Sequence, residues 1–165
     1  MTSRTPSRPL CNAALAIALL LTGSHAWGQA GGVGVVSALP PPALTVKRGE
    51  ELQLPLSLVI RGGYHVNSNK PAEDYLIPTA LTWNTGPLSL RGVAYPKAET
   101  VKYEFSAQPL SVYSGMITLT SRFAAPADAP RGPFALSGKL RYQACTDKLC
   151  LPPKTLEVSV PLTIQ

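Results

Sequence analysis

Residues 52–60 alternate without interruption: Leu52, Leu54, Leu56, Leu58 and Ile60 fall on one side, and Gln53, Pro55, Ser57 and Val59 on the other. A period of two places all five large aliphatic residues on one face of an extended strand, which a helix cannot do. The period returns twice at full length. Phe134, Leu136, Leu140 and Tyr142 alternate with Lys139, Arg141 and Gln143, and Leu156, Val158, Val160, Leu162 and Ile164 alternate with Glu157, Ser159 and Thr163. Shorter runs at 64–66, 80–83, 88–95 and 116–123 read as further strands, divided by Arg61-Gly62-Gly63, Asn84-Thr85-Gly86-Pro87 and Ser114-Gly115. No segment carries a helical stripe, and 17 prolines oppose long helices. Seven or eight strands with short turns in one domain predict an all-β fold, an immunoglobulin-like β-sandwich. Trp83 and Phe123 are expected in its core. Pro55 has no amide hydrogen to donate, which predicts an edge or a bulge at that point of its strand.

The first thirty residues follow a different logic. Arg4 and Arg8 precede an apolar run at 13–21 that is too short to span a bilayer, and Ser24-His25-Ala26 and Gly28-Gln29-Ala30 offer small residues for cleavage. This pattern predicts a secretory signal peptide over residues 1–26, with cleavage after Ala26 or Ala30. A soluble exported protein follows, in an oxidising compartment. Residues 27–43, with Gly31-Gly32 and Pro40-Pro41-Pro42, read as a flexible leader, and 44–165 as one folded domain. Roughly 135 residues are enough for a single core. Losing Arg4 and Arg8 takes two charges off a formal net charge of +6. What remains is scattered, with no basic cluster interleaved with aromatics, and so indicates solubility rather than nucleic-acid binding.

Cys11 leaves with the signal, so the mature chain keeps Cys145 and Cys150 within Tyr142-Gln143-Ala144-Cys145-Thr146-Asp147-Lys148-Leu149-Cys150-Leu151-Pro152-Pro153. Such a pair is either a small structural staple or a redox-active disulfide. If Phe134, Leu136, Leu140 and Tyr142 face the core, Ala144 continues that face and Cys145 lies on the other, near solvent or under a loop. On this parity Cys145 is the more exposed cysteine. Pro152-Pro153 breaks the register and leaves the facing of Cys150 open. A disulfide closing a six-residue loop restricts the unfolded chain by only about 2 kcal/mol, which weakens the staple reading without removing it. Structural zinc needs four ligands, and two cysteines with His65 fall short. No paired carboxylates, nucleophile elbow or ligand cluster points to a hydrolase.

The cysteine stretch resembles the active-site hairpin of the N-terminal periplasmic domain of DsbD, a bacterial thiol:disulfide interchange protein or protein-disulfide reductase. The shared pattern is Tyr-Gln-small-Cys, a short loop with an acid, then Cys, an apolar residue and Pro-Pro. Gly62-Gly63-Tyr64-His65-Val66-Asn67-Ser68-Asn69-Lys70-Pro71 is similar to the family's Gly-Tyr-His strand and loop, and the likeness extends from Ala43 to Gln165.

The resemblance implies a sandwich domain with Cys145 and Cys150 as its redox pair, needing no cofactor or metal. Its partners would be a thioredoxin-like electron donor and periplasmic oxidoreductases, met through transient mixed disulfides, with no nucleic acid or membrane span involved. It also implies a cap loop over the pair, in which Phe105 matches the cap aromatic, and it places Tyr64 on the strand flanking the site. Read from the residues alone, Phe105 fits a cap or the core, and His65 a proton acceptor or an ordinary strand residue. Tyr64 and Tyr142 read as packing aromatics at the edge of the site. His65 and Asn67 stand where well-known members carry tyrosines, and the cysteine spacing differs by one residue from some of them. Those members continue into a membrane domain and a thioredoxin-like domain. For a chain ending at Gln165 the expectation is a free-standing carrier served by separate partners. The alternative is a non-catalytic binding or scaffold module with a structural disulfide.

Overall fold

The alternation at 52–60 becomes a ten-residue strand in which Leu54, Leu56, Leu58 and Ile60 are buried while Glu51, Gln53 and Pro55 face solvent. The computed structural model describes residues 1–2 and 34–165. Apart from its first two residues, the expected signal segment lies outside them, as does the start of the leader. Among the described residues no helix is long and apolar enough to cross a membrane.

Twelve strands follow one another in the described residues: β1 (Val36–Ala38), β2 (Leu44–Val46), β3 (Glu51–Ile60), β4 (His65–Asn67), β5 (Ala80–Asn84), β6 (Ser89–Ala94), β7 (Glu99–Val101), β8 (Leu110–Tyr113), β9 (Met116–Ala124), β10 (Gly132–Tyr142), β11 (Ala144–Cys145) and β12 (Lys154–Ile164). They form three four-stranded sheets, ordered β1-β3-β9-β6, β2-β12-β10-β5 and β11-β4-β8-β7. All neighbours run antiparallel except β2 and β12, which are parallel. The fold is all-β, an immunoglobulin-like sandwich.

The first two sheets face each other across the core. Leu54 and Phe123 from one meet Leu136, Val160, Leu162 and Ile164 from the other. Farther along, Leu56, Leu58 and Leu119 meet Leu81, Leu140 and Val158. Trp83 packs against both clusters and is only partly buried, whereas Phe123 is wholly enclosed. The Trp83 indole Nε1 donates to Ser121 Oγ at 2.8 Å, giving its one polar atom a partner. Pro55 sits where β3 is an edge, because β1 pairs only with Leu58–Ile60.

Two sequence expectations change. The flexible leader does not extend to residue 43: Val35 and Val36 are buried, β1 adds to the edge of β3, and the fold begins before Leu44. The physical reason is that two β-branched valines cover the open side of Ile60, which is opposite Val36. Strands β2, β7 and β8 were also hidden, being only three or four residues long and too short to show a period.

The third sheet positions the site. Strand β10 passes through Gln143 directly into β11, so the chain leaves one sheet and joins the other without losing its alternation. One face of the third sheet, with Val66, Tyr113 and Ala144, closes the main core. On the opposite face Leu110 and Val112 are buried beneath Leu76, Val101 and Tyr103. That face is therefore covered by the segments before β5 and between β7 and β8.

Candidate functional site

Cys145 pairs with His65 across β11 and β4, and Ala144 with Val66. Asn67 lies opposite Val112 on β8. Residues two apart on a strand share a face, so His65, Asn67, Gln143, Cys145 and Val112 all project to the covered side of the third sheet. Ala144 is on the core face and Cys145 on the other, as the parity of β10 predicts. Cys145 is nevertheless fully buried, while Cys150 is partly exposed. The expectation that Cys145 is the more exposed cysteine is thus corrected. The face it shares with the exposed Lys139 and Arg141 passes under a cap once β10 becomes β11.

Cys145 and Cys150 form a disulfide, with Cα atoms 3.9 Å apart and the residues directly opposite in an antiparallel bridge. The hairpin holds itself. Thr146 N donates to Leu149 O at 2.8 Å, and Leu151 N to Ala144 O at 2.8 Å. The Thr146 hydroxyl oxygen accepts from the amides of Lys148 at 3.3 Å and Leu149 at 3.2 Å. Leu149, at the tip, stays exposed.

Gln143 ties this hairpin to its surroundings. Its Oε1 accepts from Asn67 Nδ2 at 3.2 Å and from Ile77 N at 3.3 Å, and its Nε2 donates to Leu151 O at 3.3 Å. Asn67 Nδ2 also donates to Ile77 O at 3.0 Å, and the Thr79 hydroxyl donates to Asn67 O at 2.6 Å. The segment before β5 is thereby stitched across β4 beside the cysteines.

The other cover is aromatic. The Tyr103 ring stacks on His65 with centroids 4.1 Å apart and planes 15° from parallel. Phe105 stacks on Tyr103 at 5.6 Å and 18°. Phe105 is 37% exposed, so it forms the outer layer and Tyr103 the inner one. Lys102 Nζ donates to the carbonyls of Ser106 and Ala107, and Ser106 Oγ donates to Gln108 O at 2.7 Å, which closes the loop on itself.

Burial lowers the pKa of His65, because the charged imidazolium loses its hydration. Its Nε2 is buried without a hydrogen-bond partner, and so is Asn67 Oδ1. The Tyr103 phenol is pushed up by burial and then by the Glu99 carboxylate. Lys139 reaches toward Glu157 at 3.9 Å on the exposed side of β10 and β12.

The structure therefore gathers Cys145, Cys150, His65 and Phe105 into one locality. It places Tyr64 and Tyr142 elsewhere. Tyr142 is buried in the main core, where burial raises its pKa, and Tyr64 packs on the rim of that core beneath the Arg61 guanidinium, 4.8 Å from its ring centroid. Sequence reasoning missed Tyr103, the ring that actually meets His65, and gave no part to the Gln143–Asn67 clamp. Tyr103 lies outside any strand, so no periodicity marks it. The clamp had a signal: Gln143 and Asn67 are amides on strand faces otherwise expected to bind water.

No curated protein sequence matches the chain. Among solved structures, it is similar to the N-terminal domain of DsbD from Neisseria meningitidis in the reduced form, at 20% identity and a TM-score of 0.47, covering 74% of this chain and 83% of that one. It is also similar to the N-terminal periplasmic domain of ScsB from Proteus mirabilis, at 12% identity and a TM-score of 0.47, covering 78% and 44% respectively. Both likenesses are too distant to argue from, and the assignment rests on the family model, which matches residues 36–162. That match takes in strands β1 to β11, β12 as far as Leu162, the cysteine hairpin and its clamp. The chain belongs to the family of the N-terminal domain of the thiol:disulfide interchange protein DsbD.

Proposed function

We propose that this domain passes electrons between a thioredoxin-like donor and exported oxidoreductases, using Cys145 and Cys150 as its redox pair in the periplasm. The observation that carries the reading is the placement of the disulfide. It joins two residues already held opposite each other by the hairpin's own hydrogen bonds, so it ties no distant parts of the fold together. Closing so short a loop restricts the unfolded chain by about 2 kcal/mol, whereas staples between sheets close far longer loops. Beside the bond, His65 lies under the stacked Tyr103 and Phe105 rings of a loop, a cover that can part without breaking a sheet.

Exchange proceeds by attack of a thiolate on one sulfur of the disulfide, in line with the S–S bond. Cys150 is the partly exposed residue and Cys145 the buried one, which favours attack on Cys150 with Cys145 leaving. A Cys145→Ser variant retains only the Cys150 thiol. It should trap a mixed disulfide with a thioredoxin-like protein that lacks its resolving cysteine and carries its attacking cysteine as a mixed disulfide with 5-thio-2-nitrobenzoate, the thionitrobenzoate being the leaving group. Failure of both single-cysteine variants to form any such adduct would sink the carrier reading. The scaffold reading makes the opposite forecast for the potential of the couple, a value below about −300 mV.

A further inference from the structure

His65 is enclosed on every side the fold provides. It is 4% exposed, opposite Cys145 in the β4–β11 register, and covered by the Tyr103 ring at 4.1 Å. Its Nε2 has no partner. A buried polar atom left without a hydrogen bond costs about 1–3 kcal/mol, so such an atom calls for an explanation. Packing alone would be served better by an apolar ring.

The chemistry at Cys145 supplies the explanation. When the disulfide opens toward Cys150, the electron pair of the broken bond leaves on Cys145 Sγ, at a residue with no exposure to water. A bare thiolate there is costly, and so is a bare imidazolium. Together they offset each other. We propose that His65 is the proton partner of Cys145, taking up one proton when the disulfide is reduced and holding the Cys145 sulfur as a thiolate. This rests on reading the pair as redox-active.

A partner dithiol, as its thiolate, attacks Cys150 Sγ, forming the intermolecular S–S bond and expelling the Cys145 thiolate. The partner's second thiol then displaces Cys150 and leaves as a disulfide, oxidised by two electrons. Of the two protons the dithiol gives up, one ends on Cys150 and one on His65. The titratable groups around the imidazole are few. Cys145 faces it from β11 and Tyr103 from the cap loop. Tyr113 of β8 is on the core face, and Lys102 is held by the Ser106 and Ala107 carbonyls. Glu99 acts on Tyr103 and accepts from Ser114 Oγ. Burial is the dominant influence on His65 while the disulfide is intact.

The test follows the His65 Cε1–H resonance of the chain after signal removal against pH, oxidised and then reduced with dithiothreitol. Of the two histidines in the sequence, His25 leaves with the signal, so the resonance is unambiguous. An opposite charge nearby moves a pKa by about 1–3 units. The His65 midpoint should rise by about 1 pH unit or more on reduction. In the reduced His65→Gln variant the Cys145 Cβ resonance should report a thiol that ionises at higher pH than in wild type. An unchanged His65 midpoint in the two redox states overturns the proposal. That measurement needs no variant to fold and no partner to bind. A chain that traps partners but shows no shift overturns this inference alone, and a chain that shifts but never traps a partner overturns only the carrier reading.

Discussion

His65 and Tyr103 stack at 4.1 Å, and through this contact the cap rests on the strand residue opposite Cys145 rather than on solvent-facing hairpin. Phe105, more exposed, stacks on Tyr103 in turn. The two rings therefore differ in what their loss exposes. Tyr103→Ala should speed reduction of the disulfide by a small dithiol several-fold, since it removes the layer that covers His65. Phe105→Ala should change that rate less. Stopped-flow reduction of both variants checks the order, and a larger effect at Phe105 would reverse the assignment of inner and outer layers.

A pH dependence follows from the buried imidazole. The unfolded chain protonates His65 near pH 6.5, whereas burial puts the folded-state value lower. Between those two values the unfolded chain binds more protons, so stability falls as pH falls through the window and rises with pH across it. Above about pH 7 the contribution is constant. In the oxidised protein, urea midpoints should decline on acidification below about pH 6.5, and His65→Gln should flatten that decline. Identical slopes in the two proteins would show that other groups carry the dependence.

Gln143 satisfies two donors at once, Asn67 Nδ2 and Ile77 N. Gln143→Leu keeps the bulk but leaves Ile77 N and one N–H of Asn67 Nδ2 without an acceptor, the other still donating to Ile77 O. Stability should drop by about 1–3 kcal/mol, the usual cost of an unpaired buried polar group. Because the segment before β5 also loses an anchor, amide exchange at Ile77 should quicken beyond what global destabilisation explains. Equal protection of Ile77 in the variant would mean that the clamp is incidental.

The long strands were legible because burial on one face imposes a period of two over nine or more residues, as in β3, β10 and β12. The same parity carried through Gln143 to set Cys145 off the core face. Exposure was not legible from it. Parity says which face a side chain takes, whereas burial of Cys145 depends on loops that arrive from 68–79 and 102–109. Those loops are specified by single contacts, such as Tyr113 Oη donating to Asn69 Oδ1 at 2.6 Å. Contacts of that kind leave no period in the sequence. Phe105 and Tyr103 show the same limit, since adjacency in a loop could not tell which ring lies inward. The short β1 was hidden among glycines and prolines because its stability comes from the β3 edge it covers rather than from its own three residues.

Gly138 occupies an inward position of β10, opposite both Trp83 of β5 and Val158 of β12. A Cβ there would lie 2.6 and 2.7 Å from Trp83 Cε3 and Cζ3 and 2.9 Å from Val158 Cγ2. The indole cannot easily retreat, because Nε1 is bonded to Ser121 and its ring meets Phe123 edge-on at 5.7 Å. Replacing a strand glycine by alanine would otherwise gain about 0.5–1 kcal/mol. Overpacking costs about 1–3 kcal/mol, so the clash should win and Gly138→Ala should be destabilising. Pairing it with Trp83→Leu relieves the contact, and the double variant should be less destabilised than the sum of the singles. Urea unfolding of the four proteins gives the coupling. Strict additivity, or a net gain in Gly138→Ala, would mean that the sheet accommodates the methyl and that Gly138 is not reserved for the indole.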